Sequence, residues 1–144
     1  MKTKYWVIVA SKDHVKTGVL EGVVQACHGK SAPLKRMSKG DFVVFYSSKQ
    51  TMGGSEKCQK FTAIGKVKDD DVYSFEMTAD FCPFRRNIDF IDSVDISIVP
   101  LIDDLGFILN KRSWGYPFRY GFFEISYNDF CLISSKMIKK ENAE

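Results

Sequence analysis

Apolar and polar positions fall into short blocks along this chain. Residues 5–11, YWVIVAS, form an apolar run without alternation, which predicts a first strand buried on both faces. Val15, Val19 and Val23 follow at spacings of four, so a helix capped by Asp13 is expected, weakened by Gly18 and Gly22. Ser31 before Ala-Pro predicts a cap and a short helical turn through Met37, and Lys39-Gly40-Asp41 reads as a turn. Residues 41–47, DFVVFYS, form a second continuous apolar run and predict a central strand. A polar loop with Gly53-Gly54 at its tip leads to a strand over 61–67, then a charged KDDD turn. Residues 72–78 alternate, with Tyr73, Phe75 and Met77 facing one way. FRRNIDF, 84–90, puts Arg86, Ile88 and Phe90 on one side, and 94–98 alternates again until Pro100. PLIDDLGFI reads as a short helix or turn, and Phe122 to Ile125 as a last strand or the lead into a helix. Ser126 with Asp129 makes a capping box for a helix whose apolar face carries Phe130, Ile133, Met137 and Ile138.

Five or more strands joined by short loops, with short helices at both ends and no alternation of strand and helix, predict an α+β fold. The expected architecture is a small, mostly antiparallel β-barrel with flanking helices. The 144 residues fit one domain, 1–144, in which residues from about 140 onward form a solvated tail. An apolar share of 44% allows a real core, and 27% charged residues is ordinary for a folded chain. No apolar run approaches a membrane span, and the opening MKTKYWVIVASKDH is too short in its apolar part for a signal peptide. The expectation is a cytoplasmic protein with no membrane partner. Net charge is +3, which permits a nucleic-acid partner without demanding one.

Catalytic motifs are sparse. Cys27, Cys58, Cys82 and Cys131 include no CxxC pair, so reduced, mostly buried thiols are expected rather than a zinc site. Cys27 and His28 are neighbours in sequence and seldom meet in attack geometry on a turn. Asp69-Asp70-Asp71 and Asp103-Asp104 match no calcium loop. Phosphate-loop, dinucleotide and GxSxG signatures are missing, so neither an enzyme nor a cofactor is implied.

Binding chemistry is better represented. QACHGK, 25–30, sets an amide, an imidazole and an ammonium around a glycine: Gln25 can read a base edge, His28 can donate, accept or stack, and Lys30 can meet a phosphate. An ordinary helix-ending turn explains the same residues. Tyr46 and Ser47 stand where the central strand leaves the barrel, the place where pockets open. Arg85 and Arg86 fall on opposite faces of their strand, one inward or toward a groove and the other solvated. WGYPFRYGFF, 114–123, holds six aromatic residues of ten, directly after Lys111 and Arg112. Rings interleaved with cations are the composition of a stacking platform. Phe122 and Phe123 read as core, Trp114 as a rim ring.

YWVIVAS, QACHGKSAPLKRMSKGD leading into FVVFYS, FTAIGKV, FRRNIDF and PLIDDLGFILNKRSWGYPFRYGFF follow one another over nearly the whole chain. Together they resemble the EVE domain proteins of the PUA-like superfamily, relatives of the YTH readers of methylated adenine. The resemblance implies a small β-barrel with packed helices and a pocket for one flipped-out, often modified, nucleobase. The matching pocket positions are Ser11, Gln25 to Lys30, Tyr46, Ser47, Arg85 and Trp114, with Phe118 joining Trp114 as a wall. Many members carry an Arg-Asn pair where this chain has its QACHGK loop.

Extruding a base costs a few kcal/mol and one stacking ring returns roughly 1–3 kcal/mol, so polar contacts from Gln25, His28 or Ser47 must add to the ring. One buried methyl adds only about 0.8 kcal/mol, so selecting a modified base requires a shaped pocket. The expected function is a non-catalytic reader of a modified base, in DNA first and in RNA as the alternative. A small-molecule enzyme using His28 and Cys27 is the second alternative. A dimer interface built from the aromatic loop is the third, and a homodimer or an effector protein also stands open as a partner.

Overall fold

The structure is a computed structural model that describes residues 2–25 and 31–138. The strands are β1 (Tyr5–Val9), β2 (Val23–Val24), β3 (Phe42–Lys49), β4 (Lys57–Ser74), β5 (Phe84–Phe90), β6 (Ile96–Ser97) and β7 (Phe122–Ile125). The helices are α1 (Lys12–Glu21), α2 (Ser31–Lys35) and α3 (Tyr127–Met137), with 3-10 turns at Val99–Leu101 and Tyr116–Tyr120. Among the described residues the sheet runs β2-β5-β4-β3-β1-β7, with β6 on β4. Among the described strands only β1 and β3 run parallel, in the register Tyr5↔Phe42 to Val9↔Tyr46. The fold is therefore the expected α+β, mostly antiparallel sheet with helices. The path ends at β2 and β7, so the sheet described is open where a closed barrel was expected.

The continuous apolar runs have a simple cause, because both faces of β1 and β3 are covered. Val7, Val44 and Tyr46 face a core closed by Phe130, Ile133 and Met137 of α3. Trp6, Ile8, Val43 and Phe45 face a second core with Val15 of α1 and Leu34 of α2. Asp41, buried at the head of β3, accepts hydrogen bonds from the Lys4 amide (3.0 Å), Trp6 Nε1 (3.0 Å) and the Ser38 amide (2.9 Å). It thereby fixes where the parallel pair begins.

The sequence-based expectations and the structure differ at several places. The KDDD turn is not a turn: β4 is one 18-residue strand through it. Arg86 and Asn87 hold Asp69, through its carbonyl (2.8 Å) and its carboxylate (3.0 Å), which keeps the acidic run extended across a register shift between Val67 and Val72. The strand then stops at Ser74, leaving Phe75 and Met77 exposed. Helix α1 takes Ser11 rather than Asp13 at its N-cap, and Gly22, left-handed at φ 71°, ends it before Val23. Val23 consequently lies on β2, and Val19 is exposed. Neither Arg85 nor Arg86 is solvated. Arg86 donates to the carbonyls of Leu34, Met37 and Asp69, tying α2 to the bend of β4. The expected α3 cap is present, with the Asp129 amide donating to Ser126 Oγ at 3.1 Å. The Asp129 carboxylate turns to the Gly106 and Phe107 amides (2.8 and 3.0 Å), anchoring the loop before the aromatic stretch. Of the thiols described, Cys58 is buried, Cys131 half-buried and Cys82 exposed, while Cys27 lies outside the described residues.

Candidate functional site

A cavity of about 460 Å³ opens where β1 ends at Val9 beside Tyr46 of β3. Val9, Tyr46 and Ser48 come from these strands, Gln59 from β4, and Arg112 to Gly115 with Phe118 and Arg119 from the aromatic loop. The loop reaches this place because the Val9 amide donates to the Gly121 carbonyl (2.9 Å) and Gly121 adopts φ 73°, turning the chain into β7. The 3-10 turn Tyr116–Tyr120 then points Phe118 inward, stacked on Tyr46 with ring centroids 3.9 Å apart and 19° between planes. Phe61 meets Tyr46 edge-on at 5.4 Å. Burial pushes the Tyr46 phenol far above its ordinary range, so it stays a neutral donor at any physiological pH. Trp114 is half-buried at the mouth, and Arg112 and Arg119 are exposed beside it. Lys111 is not free for a ligand: its ammonium caps the carbonyls of Ile102 and Leu105, each at 3.0 Å.

Of the residues expected at the site, Tyr46, Trp114 and Phe118 come together in this cavity. Ser47 does not line it. Ser47 is fully buried on the opposite face of β3, sharing a hydrogen bond with Thr62 Oγ1 (2.8 Å). Side chains alternate across a strand, so Ser48 shares the face of Tyr46. That period was readable in VVFYSS. Ser11 is half-buried just beyond β1, its hydroxyl donating to Asp13 at 2.5 Å and holding that carboxyl below its usual range. Gln25 and Arg85 form a separate group at the far end of β4. Gln25 makes a long contact with Met77 Sδ (3.9 Å), while Arg85 pairs with Glu21 (3.4 Å) and lies 4.1 Å over Phe75. His28 and Lys30 lie outside the described residues.

Several cavity residues were not assigned to the site from the sequence, among them Ser48, Arg119 and Gln59. Gln59 gave no signal at all, since its distinction is conformational. It is the one non-glycine residue with positive φ (54°) among the described residues. Among the described residues no three His, Cys, Asp or Glu side chains converge as metal ligands, and no helix is long and apolar enough to cross a membrane.

The architecture is thus an open sheet with one parallel pair, helices packed on it and an aromatic cavity beside the end of β1. The EVE domain family model matches residues 4–136, and the chain belongs to that family. It is 48% identical over 133 residues to a UPF0310 protein of Mycolicibacterium vanbaalenii, covering 92% of each. A UPF0310 protein of Bacillus licheniformis is 49% identical over 129 residues, covering 90% of this chain and 88% of that one. Among solved structures, the fold is similar to the YTH domain of the Zygosaccharomyces rouxii MRB1 protein, determined in complex with N6-methyladenosine RNA. The TM-score is 0.62 at 12% identity, over 99% of this chain and 92% of that one.

Proposed function

We propose that this chain is a non-catalytic, cytoplasmic nucleic-acid-binding module of one domain, which accommodates a flipped, modified base in the cavity between Trp114 and the Tyr46–Phe118 stack. The observation that carries the reading is the joining of three rings with two exposed cations, Arg112 and Arg119, at one opening. A flat ligand is what stacked rings select, and cations at the mouth suit the phosphates flanking an extruded base. The volume falls in the range of about 300–1,000 Å³ that small-molecule sites occupy. His28 and Lys30 lie outside the described residues, and the proposal does not rest on them. Gln25 and Arg85 are assigned no base contact, because they stand at the other end of β4. DNA is the polymer proposed first. RNA is the second reading, favoured by the YTH domain solved with methylated RNA.

The test is tryptophan fluorescence titration with modified and unmodified nucleosides and matched deoxyribo- and ribo-oligonucleotides at low salt. Trp6, only 1% exposed, is the silent internal control and Trp114 the reporter. Trp114→Ala and Trp114→Phe lack the reporter, so their binding is read by titration calorimetry beside the unmodified protein; Trp114→Ala should weaken binding about 5- to 150-fold, the equivalent of one stacking ring, and Trp114→Phe less. Saturable binding that Trp114→Ala leaves unchanged would overturn the assignment of the cavity. A folded protein that binds no base or oligonucleotide would overturn the function.

A further inference from the structure

We infer that Gln59 is a base-edge reader of this cavity, held in place by a strained backbone that glycine would otherwise occupy. The inference rests on the proposed base-binding function and adds to it the residue that recognises polar groups. Three observations meet at Gln59. First, β3 and β4 pair as Ser47↔Lys60 and then Lys49↔Lys57, so Ser48 alone faces both Cys58 and Gln59. That is a β-bulge, a device that re-aims a side chain out of the ladder. Second, Gln59 has φ 54°, a left-handed conformation that side-chain-bearing residues rarely adopt and that bulges of this kind ordinarily give to glycine. Third, Gln59 lines the cavity with Ser48, Tyr46 and Trp114, and no hydrogen bond among the described residues engages its side-chain amide. Its peptide is fixed, since the Gln59 carbonyl accepts from the Ile98 amide at 3.1 Å.

A strained residue in a cavity points to function when glycine would be easier and something keeps the side chain there. What the side chain offers is a carbonyl acceptor beside an NH₂ donor. That pair matches a base edge with an exocyclic amine next to a ring nitrogen: the amine N–H donates to the Gln59 carbonyl, and the ring nitrogen accepts from its NH₂. A base methylated once on that amine keeps one N–H, so the contact survives the modification. The ligand class assigned here is therefore an amino-bearing base, stacked by the rings and read on its edge by Gln59.

The experiment compares two matched nucleoside pairs, adenosine with purine riboside and cytidine with 2-pyrimidinone riboside; each pair differs only by the amine. Binding is read by Trp114 quenching in the unmodified protein, in Gln59→Gly and in Gln59→Leu, with urea midpoints for all three. The expected result is at least a tenfold preference for the amino member of one pair, lost in both variants. Stability should be equal or higher in Gln59→Gly, where the backbone strain is relieved. Equal binding of both members by the unmodified protein, or a preference that survives Gln59→Gly, overturns the inference while leaving a base-binding cavity intact. Failure of every nucleoside and oligonucleotide to bind overturns the proposed function instead. A Gln59→Gly variant that unfolds at lower urea than the unmodified protein contradicts the strain on which the inference rests.

Discussion

Replacing Asp41 with alanine should be one of the costliest single changes in this protein. Its carboxylate accepts from three N–H groups that belong to three different segments: Lys4 before β1, Trp6 within β1 and Ser38 before β3. Trp6 is 1% exposed, so its orphaned indole N–H has no access to water. An orphaned buried donor costs about 1–3 kcal/mol, and a hydrogen bond to a charged acceptor contributes about 1.5–3 kcal/mol. The Lys4 and Ser38 amides are only partly buried and recover some solvation, so the sum falls to about 3–4 kcal/mol. With a urea slope of about 1–3 kcal/mol/M, the midpoint should drop by more than about 1 M at unchanged slope, followed by far-UV circular dichroism. Asp41→Asn should cost about half as much, because one oxygen still serves Trp6 and Ser38 while the new NH₂ confronts the Lys4 amide. Adding Trp6→Phe to Asp41→Ala removes the orphaned donor, so the double variant should lose less than the two single losses summed. A loss below about 0.5 kcal/mol in Asp41→Ala, or strict additivity with Trp6→Phe, would refute the claim that this carboxylate anchors the parallel pair.

Gly65→Ala should destabilise by about 1–3 kcal/mol through overpacking, since a Cβ there would stand 2.5 Å from Ile88 Cγ2 and 2.9 Å from the Asp89 carbonyl; a chemical-denaturation midpoint equal to wild type would contradict it. Asp69 is held below its usual pKa first by its hydrogen bond from Asn87, and Asp13 first by the Ser11 hydroxyl. Depressed carboxyls contribute stability that is complete above the unfolded value of about 3.9 and is lost as pH falls through the folded values. Urea midpoints should therefore be flat from pH 7 to 5 and decline below pH 4, less steeply in Asn87→Ala; identical acid limbs would exclude Asp69 as a contributor. Burial raises the Cys58 thiol, whereas Cys82 is exposed, so a thiol reagent under native conditions should modify Cys82 well before Cys58, as peptide mass mapping would show.

Strands β1 and β3 were legible because a strand covered on both faces is apolar on both sides, as Tyr5–Val9 and residues 42–46 are. The α3 cap was legible because Ser126 and Asp129 act locally. What was not legible depended on distant partners. The charged run at Lys68–Asp71 reads as a turn until Arg86 and Asn87, on the neighbouring strand, are seen to hold Asp69 extended. Arg85 and Arg86 were expected to divide between core and solvent by alternation. Yet β5 lies between β2 and β4, where Glu21 pairs with Arg85 and the carbonyls of Leu34 and Met37 accept from the buried Arg86. Ser47 was expected at the pocket from its place at the strand end, whereas alternation along the strand puts Ser48 on the face of Tyr46. Gln59 was beyond reach, because a positive φ at glutamine arises from the register between two strands and leaves no mark on composition.

The position of the cavity follows from the same topology. In a sheet that is otherwise antiparallel, neighbouring strands end at opposite edges and their loops close over each other. The β1–β3 pair is parallel, so β1 stops at Val9 beside Tyr46 while β3 runs on to Lys49, and the edge beyond Val9 is left uncovered. The chain leaves that edge through α1 on one side, and the aromatic loop crosses it from the other, pinned at Gly121. Lys111 spends its charge on the carbonyls of Ile102 and Leu105, which fixes the loop's entry. Arg112 and Arg119 are left at the opening, and Phe118 is pressed onto Tyr46. One parallel pairing thus explains why rings, cations and the bulge at Gln59 meet at a single edge, and why their neighbours in sequence do not.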